Sequence, residues 1–340
     1  MKYKVISIDL AKNVFQICGV DCHQKIIFNK KVSRSNFLKQ FANIDADSVV
    51  MEACYSSNYW ARTLDSLGFN VKLIPPFQVK PFVVGNKNDH NDAIAIAEAS
   101  LRPTARFVPI KTIEQQDVQS LERIRDRLVK QRTAITNQLR GLLSEYGIVL
   151  PTGTKKLLAE VPYVLECIDN DLSVMSRQFL QELHVEALEK TERMQRTEAQ
   201  MESLLSNNSS YELLQGIHGI GPVTAAAMIA AVSSGRQFRN GRQMAAWIGL
   251  TPGQHASGDK DKGTGMTKRG NRQLRRLLIH GGRTAMNWHE GKNDKLSLWI
   301  KDLVSRMHPC KVIVAIANKL ARIAWSVLVN QQPYHVNKVA

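Results

Sequence analysis

Four carboxylates in the first hundred residues have the types and spacing for chemistry: Asp9 in VISIDL, Glu52 in SVVMEAC, and Asp89 with Asp92 in NKNDHNDAIAIAEA. Asp9 and Glu52 each close a β-branched apolar run that reads as a buried strand, where an ionised group needs a partner. Asp89 and Asp92 are three apart at the start of an apolar-periodic segment (Ala93, Ile96, Ala97, Leu101), so on a helix they share a face and can address the same ion. Hard oxygen donors without a Cys or His cluster suit Mg²⁺ or Mn²⁺ better than Zn²⁺. Two such ions about 3.5 to 4 Å apart can position a nucleophile and stabilise the leaving oxygen of a phosphoryl displacement. The plainer alternative makes Asp89 and Asp92 first-turn acids that complement a helix dipole, and Glu52 a strand-end surface residue.

The elements that must hold these acids follow from the pattern around them. Strand-like runs lie near Tyr3–Asp9, Val14–Val20 and Lys25–Val32. A helix near Ser35–Ala42, a strand Ser48–Cys54, a helix Asn58–Leu67, a strand Asn70–Ile74 and the helix of Asp89 and Asp92 come next. A three-strand meander followed by βαβα is the order of a ribonuclease H-like (RuvC-like) fold, in which the strands of Asp9 and Glu52 are neighbours. From Ile113 to Glu145 the period becomes helical, with Leu121, Ile124, Leu128, Ile135, Leu139 and Leu142 in a heptad-like seam and Arg123, Arg125, Arg127, Lys130 and Arg132 mostly off it. A break at Leu150–Gly153 precedes a second helical stretch, with Leu180, Ala187, Met194 and Met201 seven apart; two antiparallel helices joined by that break make a coiled-coil arm.

After the polar stretch Ser206–Ser210, Gly216-Ile-His-Gly-Ile-Gly221-Pro-Val-Thr-Ala resembles the hairpin of a helix-hairpin-helix module. Gly219 and Gly221 allow a tight turn and close backbone approach, and Pro222 suits a first helical turn whose N–H groups could hold a phosphate. Equally, the glycines could serve only to let two helices pack closely. Further on, a Gly-rich loop carries Ser257 and leads into Lys268, Arg269, Arg272, Arg275 and Arg276, the pattern of a backbone-gripping nucleic-acid site. Ser257 before a glycine reads locally as a turn residue; His255 is near enough in sequence to be weighed as a base.

Composition names the partner class. The 340 residues hold 46 Lys+Arg against 30 Asp+Glu, a formal net charge of +16, which points to a polyanion and salt-dependent binding. No stretch comes near the roughly 18 apolar residues of a membrane span and no signal-peptide pattern is present, which predicts a cytoplasmic protein with no membrane partner. Five scattered cysteines form no disulfide framework, and Cys18, Cys22 and His23 lack a second ligand pair for zinc.

With these motifs in hand, the chain resembles from end to end the DEDD-type insertion-sequence transposases, the bridge-RNA-guided serine recombinases. IDLAKNVFQ, MEAC, NKNDHNDA, GIGPVTAA, AAWIGLTP and the SG followed by GTGMTKRGNRQLRR stand in the family's order. The resemblance implies a RuvC-like domain at 1–108 whose Asp9, Glu52, Asp89 and Asp92 bind Mg²⁺ (or Mn²⁺), a coiled-coil arm at 109–205, and a mainly helical transposase domain at 206–340. It implies Ser257 as the nucleophile that links covalently to DNA, the two centres meeting in a homo-oligomer, a dimer or tetramer, with a noncoding guide RNA and with the element ends and target DNA. Two other classes fit the residues alone: a metal-dependent Holliday-junction-type nuclease using water, and a non-catalytic nucleic-acid-binding regulator.

Overall fold

The computed structural model describes residues 2–86, 88–258 and 260–335, without the side chains of 255–257 and 260–262. It divides into two compact units, residues 1–112 and 113–340.

In the first unit, β1 (Lys2–Tyr3) leads into β2 (Val5–Leu10), β3 (Val14–Val20) and β4 (Ile26–Ser33); then come β5 (Asp45–Ala46), β6 (Val49–Glu52), α1 (Ser57–Ser66), β7 (Val71–Ile74), α2 (Pro76–Val79) and α3 (Asp89–Leu101). Five strands form one sheet in the order β4-β3-β2-β6-β7, and β1 pairs with β5 apart from it. β2, β3 and β4 run antiparallel as a meander, whereas β6 and β7 lie parallel to β2. Both faces are covered, and the period of two decides which residue goes where. Ile6, Ile8, Phe15, Ile17, Val49 and Met51 face Trp60, Ala61 and Leu64 of α1. Val5 and Val50 face Ala95, Ile96 and Ala99 of α3, and Cys18 and Val20 face Ala93 and Ala97.

The helix expected near Ser35–Ala42 is two 3₁₀ turns, Arg34–Asn36 and Leu38–Phe41. Ser33 gives no side-chain cap, and so short a segment closes with i→i+3 bonds while Phe37 and Phe41 anchor it in the core.

The second unit opens with α4 (Ile113–Ser144), followed by α5 (Thr154–Glu166) and α6 (Val174–Leu205). α4 and α6 run antiparallel: Val118 shares a core with Leu205, Arg125 Nε bonds Glu198 Oε1 at 2.5 Å, and Leu139 packs with Leu180 and Ala187. The expected join at Leu150–Gly153 is corrected: it enters α5, a separate helix containing Pro162, and the turn to α6 follows Glu166. Ser173 caps α6 by accepting from Ser176 N–H at 3.1 Å. Beyond the pair stand α7 (Ser209–Gln215), α8 (Pro222–Val232), α9 (Gly241–Ile248), the hairpin β8 (Pro252–Ser257) with β9 (Lys260–Met266), α10 (Arg272–Asn287), α11 (Lys295–Arg306) and α12 (Pro309–Asn330). Their core is built from α8, Met244 and Ile248 of α9, Leu274 and Leu278 of α10, and α12. By length and composition α12 could cross a membrane, which the sequence reading overlooked, but Val312, Ile316, Leu320, Ala324 and Leu328 are buried in this core. The region is mainly helical, so the whole chain is mixed α/β with a helical C-terminal part.

Candidate active site

β2 and β6 bring Asp9 and Glu52 side by side. Their parallel register pairs Ile8 with Met51, so the next residues, Asp9 and Glu52, stand side by side at the C-terminal ends of adjacent strands. Alternation puts Asp9 on the face of Ser7 and Glu52 on the face of Val50, the face covered by α3. Ser7 Oγ donates to the Ala93 carbonyl at 2.7 Å and fixes the start of α3 over these strand ends. Asn88 caps that helix by accepting from Asn91 N–H at 2.8 Å, which leaves Asp89 and Asp92 in the first turn.

Electrostatics shows the convergence. Burial pushes the Asp9 carboxyl up to about 6, and the negative charges of Asp92, Asp89 and Glu52 add to it against one bond from Leu10 N–H. The Cys54 thiol rises to about 11 through burial, then through the charges of Glu52 and Asp9. Lys31 lies 3.6 Å from Asp89 and is well exposed. A raised Asp9 among three further carboxylates makes a set of oxygen donors that a divalent cation would relieve. Among the described residues no group of three or more His, Cys, Asp or Glu stands at ligating spacing, so the carboxylates converge without being drawn tight.

The second unit holds the remaining residues singled out from sequence. Gly219, at φ +94°, lies against α10: a Cβ there would sit 2.8 Å from the Gly281 carbonyl oxygen, and one on Gly281 would sit 2.0 Å from that of Gly219. Close helix packing therefore accounts for Gly219. Gly221 is exposed, faces open space and precedes Pro222 at the start of α8. Lys268, Arg269 and Arg272 are exposed. Lys268 and Arg269 border a cleft of about 550 Å³ with Gln254, Thr264 and Thr267 at the base of the β8–β9 hairpin.

Arg275 departs from the sequence expectation. It is 8% exposed, and its Nη1 donates to the Ile248 carbonyl at 2.8 Å, closing the end of α9. Its charge looks inward because position 275 falls on the buried face of α10 with Leu274 and Leu278. Arg276 is tied to Asp126 of α4, which also accepts from Lys130 at 2.9 Å. Burial raises the Asp126 carboxyl, but these two cations outweigh it and hold the group below its ordinary range. Ser257 ends β8 opposite Lys260, and its side chain lies outside the described residues.

Sequence reasoning missed two features. His280 and Arg283 continue the line of Arg272 and Arg276 at helical spacing along α10, and His280 is lowered by burial and then by Arg283 and Arg276, the mark of a positive field. Gln16, opposite Asp9 in β3, is 4% exposed; the polar letter inside VFQICGV was the available signal.

Residues 211–296 match the family described as "Transposase IS116/IS110/IS902 family", and residues 6–148 match the DEDD transposases of IS110 type, described as "Transposase". The chain is 44% identical to the "Transposase for insertion sequence element IS1111A" of Coxiella burnetii, across 97% of this chain and 91% of that protein. It is 41% identical to the "Probable family 20 transposase" of Pseudomonas aeruginosa (98% and 99% covered) and 37% identical to the "Transposase for insertion sequence element IS1328" of Yersinia enterocolitica (95% and 96%). The chain belongs to the IS110 family of transposases. This transposase of an insertion sequence is an enzyme acting on DNA, and the DEDD transposases are generally metal-dependent. The match over residues 6–148 spans Asp9, Glu52, Asp89 and Asp92; the match over residues 211–296 spans the Gly219 turn, the Ser257 hairpin and the basic start of α10.

Proposed function

We propose that this transposase is a site-specific recombinase that cuts and rejoins strands at the element ends and the target through a covalent serine intermediate, directed by a noncoding bridge RNA. The observation that carries the metal half is the convergence of four carboxylates on one sheet end, read in the raised Asp9. Asp9, Glu52, Asp89 and Asp92 are the residues that would hold Mg²⁺ or Mn²⁺, which when bound supplies charge stabilisation to the oxygens of the reacting phosphate. The strand order β4-β3-β2-β6-β7, antiparallel and then parallel, supports a ribonuclease H-like reading of the first unit.

In the reaction Ser257 Oγ attacks the phosphorus, a Ser–O–P ester forms, and the P–O bond to one sugar breaks, releasing that sugar's hydroxyl. Attack by the hydroxyl of another strand reverses the step, so no nucleotide is gained or lost and the bond energy is kept for rejoining. Lys268, Arg269, Arg272, Arg276 and the open turn at Gly221 contact the phosphate backbone, and the catalytic assembly is a homo-oligomer. Three functional parts, 1–108, 109–205 and 206–340, serve metal binding, spacing and strand transfer.

The test is recombination with the element's own flanking noncoding RNA added or withheld, followed by protease and nuclease digestion. Expected are RNA-dependent joining and a peptide in which Ser257 carries a phosphonucleotide. Strand cleavage by a Ser257→Ala protein at the wild-type rate overturns the serine mechanism and leaves a water-using nuclease.

A further inference from the structure

Gln16 stands where an apolar side chain would be expected. It is 4% exposed, lies directly across from Asp9 in the β2–β3 register, and faces α3 together with Cys18 and Val20. Its Nε2 donates to Asn29 Oδ1 at 2.5 Å, and Asn29 Nδ2 donates to the backbone carbonyl of His90 at 3.0 Å. That chain of bonds fixes both amide orientations. A carbonyl only accepts, so Asn29 must turn its nitrogen to His90 and its oxygen to Gln16; Gln16 must then offer its nitrogen. The Gln16 oxygen is left over, and it is buried without a hydrogen-bond partner. Buried acceptors are seldom left so, and one beside a crowd of carboxylates points to a donor that belongs there. His90 follows Asp89 and precedes Asp92 by two, so the same side chain is also linked to the turn that carries both acids.

We propose that Gln16 is a positioning residue of the acid centre: its side-chain oxygen accepts from a water bound to the divalent cation, and its nitrogen, through Asn29, sets the helix turn of Asp89 and Asp92. This rests on the metal reading above. A glutamine present only to tie two strands together would have no reason to leave one end unmatched in the interior.

The experiment is Mn²⁺ titration of the full-length protein, followed by electron paramagnetic resonance, with Asp92→Asn as control and thermal unfolding in EDTA alongside. Gln16→Leu is expected to weaken Mn²⁺ binding by about 10-fold or more, as loss of an outer-shell partner does, without lowering the metal-free unfolding temperature. Wild-type affinity in Gln16→Leu while Asp92→Asn binds poorly overturns the role of Gln16 and leaves the metal reading standing; wild-type affinity in both overturns that reading too. A fall in the metal-free unfolding temperature with unchanged affinity marks a merely structural glutamine and also overturns the proposal. Should Gln16→Leu not fold, Gln16→Met decides: an unbranched side chain of similar length without the carbonyl oxygen should weaken Mn²⁺ binding as leucine would, and wild-type affinity counts against the proposal.

Discussion

Replacing Asp9 by asparagine should stabilise the metal-free protein. The folded carboxyl is raised from 3.8 to about 6, so the folded state binds more protons than the unfolded chain between those values. Stability therefore falls as pH rises across that window; the cost is absent below about pH 4 and complete above about pH 6. Two pKa units correspond to about 3 kcal/mol, an upper figure because the group is only partly buried. Asp9→Asn keeps the shape, removes the charge and lifts this cost, together with its repulsion of Asp92, Asp89 and Glu52. In EDTA at pH 7.5, calorimetry of the full chain should show the transition of the first unit raised on the order of 10 °C, given the usual several degrees per kcal/mol for a unit of this size. Near pH 3.5 the two proteins should melt together. Adding Mg²⁺ should raise wild type more than Asp9→Asn, since ligand binding stabilises by mass action. A variant no more stable than wild type in EDTA, or one that keeps the same pH slope, would refute the convergence of the acids.

The basic tract should split into two behaviours. Arg272→Ala is expected to leave folding intact and flatten the salt dependence of duplex binding by about 0.9 in the log–log slope per lost phosphate contact, measured by fluorescence anisotropy. Arg275→Leu should instead cost about 2–3 kcal/mol of stability, because it strips a charged donor from the buried Ile248 carbonyl; urea denaturation checks this. Gly270→Ala should destabilise the second unit or prevent its folding, since the new Cβ would sit 1.9 Å from the Trp247 carbonyl oxygen at φ +102°, and circular dichroism on heating reads the loss.

The acids were legible because each interrupts an apolar pattern: Asp9 and Glu52 end runs whose alternation already tells which face they share, and Asp89 with Asp92 opens a periodic segment. The sheet could be read for the same reason, down to Val14–Val20. Long-range packing was not. Nothing local distinguishes Arg275 from Arg272, as only the seat of α10 against α9 turns one inward. The turn after Glu166 carries no strong sequence break, so α5 reads together with α6 as one helical stretch after Leu150–Gly153. α12 escaped notice because Lys311, Lys319 and Arg322 break its apolar run in sequence, although all three lie off its buried face. Gln16 is one polar letter in a strand, and its unmatched oxygen exists only once β4 and α3 are in place.

The two glycines that flank the hairpin have a consequence for how this region can change. A Cβ on Gly249 would fall 1.9 Å from the Arg269 carbonyl oxygen, the mirror of the Gly270 contact with Trp247. The chain thus leaves and re-enters the helical core at one riveted point, and the Thr267 N–H bond to the Thr251 carbonyl at 2.9 Å sits just outside it. A loop closed at its mouth in this way is insulated from the scaffold. Lengthening it costs only a slowly growing loop entropy, so strand lengths in the hairpin can drift during divergence, or be lengthened by design, while the helices beneath keep their register. The mouth, by contrast, tolerates no side chain at either glycine, which makes it the fixed hinge-pin around which variation in the Ser257 segment has to be organised.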